Sequence, residues 1–176
     1  MKLTLLHGAP AAGKYTVGCA LSALTGVAFI DNHATIDLTK KAFGFGAPGF
    51  WDTNHALRVT LLDGAAEAGI SRLITSAAYS HPGDAPLLQD YYNVVEAHGG
   101  TIEPVHLHCS EDTLMTRVAT PSRVEKQKLA TPDGLRGYMK GKNFASIPCD
   151  NCLKLSTEDI TPTQTAAAIA RHFGML

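Results

Sequence analysis

The chain has 176 residues, 45% of them hydrophobic, with 15 Lys and Arg against 16 Asp and Glu and a formal charge of −1. That length is enough to bury one core, so a single domain over residues 1–176 is expected, and the near-neutral charge offers no general attraction to nucleic acid or to an anionic membrane. No apolar run approaches the roughly 20 residues of a membrane span, and an apolar run beginning at Leu3 leaves no room for a secretory leader, so a cytoplasmic protein is expected.

Leu3-Thr4-Leu5-Leu6 is a short apolar run bounded by Gly8 and predicts a buried strand. From Lys14 to Leu24 apolar residues recur at helical spacing, with Gly26 as the stop. Val27 to Ile30 reads as a second strand ending at Asp31, and Thr35 to Phe43 as a short helix broken by Gly44-Phe45-Gly46-Ala47-Pro48-Gly49. Phe50 to Ala68 predicts a longer helix, Ile70 to Ala77 contains the third strand, and Asp84 caps a helix reaching about His98. Ile102 to Cys109 is the fourth strand, with Ser110 opening the next helix. Thr120 to Pro148 is polar and carries prolines at 121, 132 and 148; a short strand at Leu153–Leu155 and an alanine-rich helix beginning near Pro162 complete the chain. Strands that alternate with helices predict an α/β fold, a parallel sheet sandwiched by helices in three layers.

Cys149 and Cys152 have CxxC spacing, but they follow Pro148 late in the chain rather than opening a βαβ unit. His106, His108 and Cys109 fall in an apolar stretch that reads as a buried strand. These residues are read as ordinary cysteines and histidines beside a strand, not as a zinc or redox centre.

Gly8-Ala9-Pro10-Ala11-Ala12-Gly13-Lys14 matches G-x-x-x-x-G-K and lies between a predicted strand and a predicted helix, the context that such a phosphate-binding loop requires. Small residues let backbone N–H groups converge on phosphate oxygens, the helix N-terminus adds its positive end, and the lysine reaches the β- and γ-phosphates. A nucleoside triphosphate, ATP, is the expected ligand, with contacts from Gly8, Ala11, Ala12, Gly13, Lys14, Tyr15 and Thr16. One position departs from the pattern. The residue after the lysine is Tyr15 and not a Ser or Thr able to bind Mg²⁺, and a phenol oxygen lies too far from the backbone to take that ligand's geometry.

On these residues the chain resembles the nucleotide and shikimate kinase group of P-loop proteins, in a bacterial branch with a G-x-P-A-x-G-K-x-T-V loop and Asn-His after strand two. The resemblance implies a five-stranded parallel sheet of order 2-3-1-4-5 and a lid between strands four and five, near residues 117–142. It also implies ATP and Mg²⁺ as cofactors and Thr16 as a contact to the α-phosphate. The segment Phe29-Ile30-Asp31-Asn32-His33-Ala34-Thr35-Ile36-Asp37 is similar to the shikimate kinase segment F-x-D-[ST]-D-x-x-I-E. Carried over, Asp31 becomes an outer-shell carboxylate for Mg²⁺ or the base for the acceptor hydroxyl, and His33 stands where the second Asp would be.

The arginine that holds shikimate's carboxylate in that family is replaced by Trp51, and Arg58 lies two turns further along the same predicted helix. The Gly-Gly-Gly signature after strand three is replaced by Thr75-Ser76-Ala77-Ala78-Tyr79, which holds no acidic residue. Trp51, with Phe45 and Phe50, reads either as core for the Gly-rich corner or as part of an acceptor site. Leu107 to Arg117 resembles the junction after strand four, which implies that Arg117 flanks the adenine or phosphates, and Thr157 to Pro162 resembles the adenine-edge loop. Between residues 117 and 142, Arg117, Arg123, Lys126, Lys128, Arg136, Lys140 and Lys142 face only Glu125 and Asp133, a concentration of positive charge suited to a triphosphate.

The expectation is phosphoryl transfer from ATP to a hydroxyl of a small molecule other than shikimate, with Lys14, Asp31 and the lid residue Arg123 catalytic. His33, Trp51, Arg58 and Tyr79 would bind the acceptor, and Pro162 would sit at the nucleotide. The rival is a nucleotide-dependent switch or weak ATPase with no acceptor, to which Tyr15 and the missing acid after strand three point.

Overall fold

In a computed structural model, residues 1–121, 123 and 128–176 are described. Ser122, Glu125 and Lys126 of the lid stretch lie outside the described residues. Five strands form one parallel sheet: β1 (Lys2–His7), β2 (Phe29–Ile30), β3 (Arg72–Ala77), β4 (Thr101–His108) and β5 (Leu153–Ser156), in the order β2-β3-β1-β4-β5. The expected α/β class and strand order are therefore found. Seven helices occur among the described residues: α1 (Lys14–Thr25), α2 (Asn32–Ala42), α3 (Phe50–Glu67), α4 (Ala85–Ala97), α5 (Glu111–Val118), α6 (Pro132–Met139) and α7 (Pro162–His172). No helix among these residues is long and apolar enough to cross a membrane.

The sheet is covered on both faces, so its central strand is apolar on both sides. Leu3 and Leu5 of β1 join Leu73, Ile102, Leu62 and Val95 beneath α3 and α4. Leu6 faces the opposite way and joins Ile74, Val105, Val17, Leu21 and Ile169 beneath α1 and α7. A third, smaller cluster, Ala9, Ala12, Leu114, Val118 and Leu135, ties the loop after β1 to α5 and α6. Helix ends follow local chemistry. Gly26 in the left-handed region (φ 72°) closes α1, and Thr161 with Gln164 forms a capping box at the start of α7, with Pro162 in its first turn.

Three boundaries move from their sequence-predicted places. β2 is only two residues long, Phe29 and Ile30, although the Ala28 carbonyl still accepts the Ile74 N–H of β3 at 2.9 Å. α2 begins at Asn32, three residues early, so His33 lies in its first turn. Within the polar lid stretch, Thr131 caps α6 by accepting the Gly134 N–H, a helix that the sequence reading left as polar chain. Gly18 of α1 also has a packing role: a Cβ there would come 2.3 Å from the Phe29 ring, so its absence lets β2 lie close under α1.

One ion pair is built into the sheet. Glu103 on β4 is buried, accepts the Thr4 hydroxyl at 3.0 Å and pairs with Arg72 on β3, across the central strand. Breaking such a pair strands a charge in a poorly solvated place, which costs more than the pair itself contributes. Arg72→Met should lower stability by about 3 kcal/mol, read as a fall in the urea midpoint. Adding Glu103→Gln should recover most of the loss, and equal midpoints for wild type and Arg72→Met would contradict this account.

Candidate active site

The loop between β1 and α1 is held by its backbone geometry. Gly8 (φ 139°), Ala11 (φ 68°) and Gly13 (φ 94°) all lie at positive φ, which turns successive N–H groups toward one concavity. Gly8 cannot carry a side chain: a Cβ would stand 2.2 Å from the carbonyl oxygen of Leu107 on β4. Lys14 opens α1 and folds back over the loop, its Nζ donating to the carbonyls of Gly8 and Ala9, each at 2.7 Å. Burial lowers the Lys14 pKa to about 7; the Asp31 carboxylate opposes that shift, and the cations Arg123 and Lys128 add to it.

Asp31 ends β2. It occupies the N-cap position of α2, yet its side chain makes no capping bond. Instead Oδ1 accepts from the Ser76 hydroxyl at 2.8 Å and Oδ2 pairs with Lys128 Nζ at 3.0 Å. Burial pushes the Asp31 pKa up, but the hydrogen bond and charge of Lys128, with Ser76 and His33, outweigh it and hold the group below its ordinary value. His33 Nδ1 stands 3.7 Å from the same carboxylate; burial, with Lys128, lowers its pKa to about 4, so the imidazole is neutral at pH 7. Ser76, at the end of β3, is the junction: its hydroxyl also accepts the Asn32 N–H at 3.0 Å, and its carbonyl accepts from Arg58 at 2.7 Å. Arg58 bonds Asn32 Oδ1 as well and lies over the Tyr91 ring, with 5.5 Å to the centroid.

One cavity of about 1800 Å³ joins these parts, running from the loop past Asp31 to Trp51, Tyr91 and Tyr138. At the base end, Arg117 donates to the hydroxyl of Thr157 at 2.8 Å and to its carbonyl at 2.6 Å, and Thr157 in turn reaches the loop carbonyl of Ala12 at 3.2 Å. Pro162 lies on the same wall. Arg123 donates through Nε to the Leu129 carbonyl at 2.8 Å and also lines the cavity. At the far end Phe45, Phe50 and Trp51 pack edge to face. The two sequence readings divide between them: Phe50 is fully buried core, while Trp51 is 51% exposed and lines the cavity with Phe45. Tyr79 is almost fully buried, its hydroxyl paired with His81 Nδ1 at 2.8 Å, and it still forms part of the wall.

All the expected site residues except Gly8 and Ala12 line this one cavity. Sequence reasoning missed three participants. Lys128 was one of many lid cations, and nothing in the chain marks it as the partner of Asp31. Ser76 stood only for a missing glycine signature. Asn54, one turn after Trp51, lines the cavity while its buried Oδ1 has no partner among the described residues, an acceptor suited to a donor group on a ligand.

The donor set does not fit a magnesium ion held by side chains. Tyr15 stands at the hydroxyl position, and Asp31 is committed to Lys128 and Ser76. Asp84, the other carboxylate among the described lining residues, accepts the Ser80 N–H at 2.8 Å. The four cysteines are free, Cys152 Sγ lies 3.5 Å from His7 Nε2, and among the described residues no group of three or more His, Cys, Asp or Glu is placed to hold a metal. His106 is half-buried but His108 is exposed at the end of β4, a correction to the buried strand expected there: the sheet ends at that residue.

A triphosphate beside Lys14 favours its charged form, so binding should draw in a proton. Affinity should be level below pH 7 and fall above it, by up to about tenfold per pH unit. Calorimetry in two buffers of different ionisation heat measures the uptake; none at about pH 8 would show Lys14 already charged in the free protein.

No family profile matches the chain, and no curated protein matches it. Solved structures do. A candidate kinase from Chloroflexus aurantiacus superposes with a TM-score of 0.71 at 18% identity, over 98% of this chain and 96% of that one. A sugar kinase from Janibacter gives 0.67 at 16% identity, over 99% and 95%. Shikimate kinase from Acinetobacter baumannii, in complex with shikimate, gives 0.62 at 16% identity, over 97% and 92%. The chain has the P-loop kinase fold along nearly its whole length.

Proposed function

We propose that the protein transfers the γ-phosphoryl group of ATP to a hydroxyl of a small molecule. The observation that carries this reading is the single cavity linking a phosphate-binding loop to a second, aromatic-lined end. Its volume of about 1800 Å³ exceeds the roughly 300–1,000 Å³ of an ordinary ligand site and suits a nucleotide with an acceptor beside it. A switch needs only the first of those places.

Such transfer is mostly positioning and charge neutralisation. Lys14 exchanges the Gly8 and Ala9 carbonyls for β- and γ-phosphate oxygens, the loop N–H groups hold the phosphates, and Arg123 closes from the lid. Arg117 and Pro162 border the base end, and Thr16 lies along the α-phosphate. Magnesium enters as part of the Mg·ATP substrate, carried by phosphate oxygens and water. The acceptor lies among His33, Trp51, Arg58 and Tyr79, with the unpartnered Asn54 Oδ1 receiving one of its donors. Asp31 orients the cations at the meeting point of the two ends. The fold shared with kinases of sugars and of shikimate supports the reaction class. Tyr15 and the acid-free end of β3 favour a second reading, a weak ATPase or switch.

Lys14→Ala should leave the fold intact and reduce turnover at least a hundredfold, on the order of the loss of a charge-assisted contact made mainly in the transition state. An ADP-release screen across hydroxylated metabolites decides between the two readings: a kinase shows steep, saturable stimulation by one of them, a switch by none. Shikimate should stimulate little, since Trp51 stands where its carboxylate would need a guanidinium; robust saturation by shikimate would refute that assignment.

A further inference from the structure

Lys128 occupies an unusual place. Its ammonium sits 3.0 Å from Asp31 Oδ2 and 4.5 Å from the centroid of the Tyr15 ring, with its side chain only 10% exposed. The seat is rigid on the sheet side. Asp31 is pinned by Ser76, and Ser76 is pinned by Asn32 and Arg58, so the carboxylate is fixed at the ends of β2 and β3. Tyr15 forms the other side, on the first turn of α1, and its aromatic face attracts a cation. Both walls of this seat differ from what a metal-binding loop needs. The residue after the loop lysine offers a ring face where a short hydroxyl would be a ligand, and the nearby carboxylate holds an ammonium.

We propose that Lys128 is the protein's own cation for the terminal phosphoryl group, taking over at this corner the charge that a magnesium ion anchored by the loop would supply. The inference rests on the nucleotide reading above and deepens it. Lys14, Arg123 and Lys128 all line the cavity, and at Lys14 the charges of Arg123, Lys128 and the Asp31 carboxylate act together. Among the described residues these cations, with Lys14 only partly charged near neutral pH, still outnumber Asp31, the one carboxylate that pairs with any of them, and that positive excess is the complement of an incoming phosphoryl group. An ammonium has three donors and no fixed plane, so Lys128 can keep one on Asp31 and turn the others to γ-phosphate oxygens. Asp31 then acts as a positioning residue, holding Lys128, and the Tyr15 ring keeps the ammonium from leaning back over α1. Magnesium that arrives with ATP adds to this charge without needing a side-chain ligand.

The test is a binding cycle that needs no acceptor. Calorimetry measures the affinity of the non-hydrolysable analogue AMPPNP and of ADP, with Mg²⁺ and with EDTA, for wild type, Lys128→Met and Lys128→Arg. In EDTA, Lys128→Met should weaken AMPPNP binding about ten- to a hundredfold while ADP changes by less than about threefold. Adding Mg²⁺ should shrink the AMPPNP deficit, and Lys128→Arg, which keeps the charge, should lose much less. An AMPPNP affinity unchanged by Lys128→Met, a deficit equal with and without Mg²⁺, or equal losses for ADP and AMPPNP would overturn the role of Lys128 while leaving nucleotide binding in place. Failure of wild type to bind either nucleotide would overturn the nucleotide reading and this inference together.

Discussion

An unbalanced positive charge organises the site. Lys14, Arg123 and Lys128 line one cavity with the carboxylate of Asp31, which pairs with Lys128, while the cavity's other described carboxylate is already bonded to backbone. Cations kept partly out of water are costly unless paired, so each finds what the protein can offer: loop carbonyls for Lys14, a lid carbonyl for Arg123, a carboxylate and a ring for Lys128. These are holding arrangements. The pKa of Lys14 stays lowered to about 7, chiefly by burial, so the loop carbonyls do not offset the loss of water around it. The rest of the site follows from having to anchor Asp31, which is the task of Ser76, Asn32 and Arg58.

The framework that presents this charge comes from the parallel sheet. β1 lies in its middle, and its loop leaves at the carboxyl edge, where β2 and β3 also end. Open parallel sheets place their ligands at that edge. The close approach of Gly8 to the Leu107 carbonyl and the reach of Thr157 to Ala12 tie the loop to β4 and to the segment after β5, so it is held from the β4–β5 side of the sheet.

Much of this was legible in the chain. Short apolar runs and glycine punctuation marked the strands and helices, because burial on both sheet faces leaves continuous apolar segments. The loop was legible because its chemistry is local: seven consecutive residues carry it. What could not be read lies in pairings between distant segments. Asp31 and Lys128 are 97 residues apart, and only the fold brings them together. The same holds for Ser76, whose value comes from ending β3 beside β2, and for Asn54, whose orphaned oxygen depends on what surrounds α3. The early start of α2 was not legible because its buried face begins only at Thr35 and Ile36, after Asn32, His33 and Ala34. Trp51 was ambiguous since an aromatic beside a Gly-rich corner serves core and cavity equally well, and the edge-to-face trio uses Phe50 for one and Trp51 for the other.

The Lys14 amine titrating near neutrality also changes what that side chain is as a reagent. An amine that spends part of its time uncharged at physiological pH has a lone pair to offer, which ordinary lysines, with pKa values near 10, almost never do. Surrounding cations would draw in electrophiles that bear negative charge, such as acyl phosphates or aromatic aldehydes with a phosphate group. Among the lysines, Lys14 is thus the one whose amine would react most readily with such reagents, and a ligand in the loop would shield it.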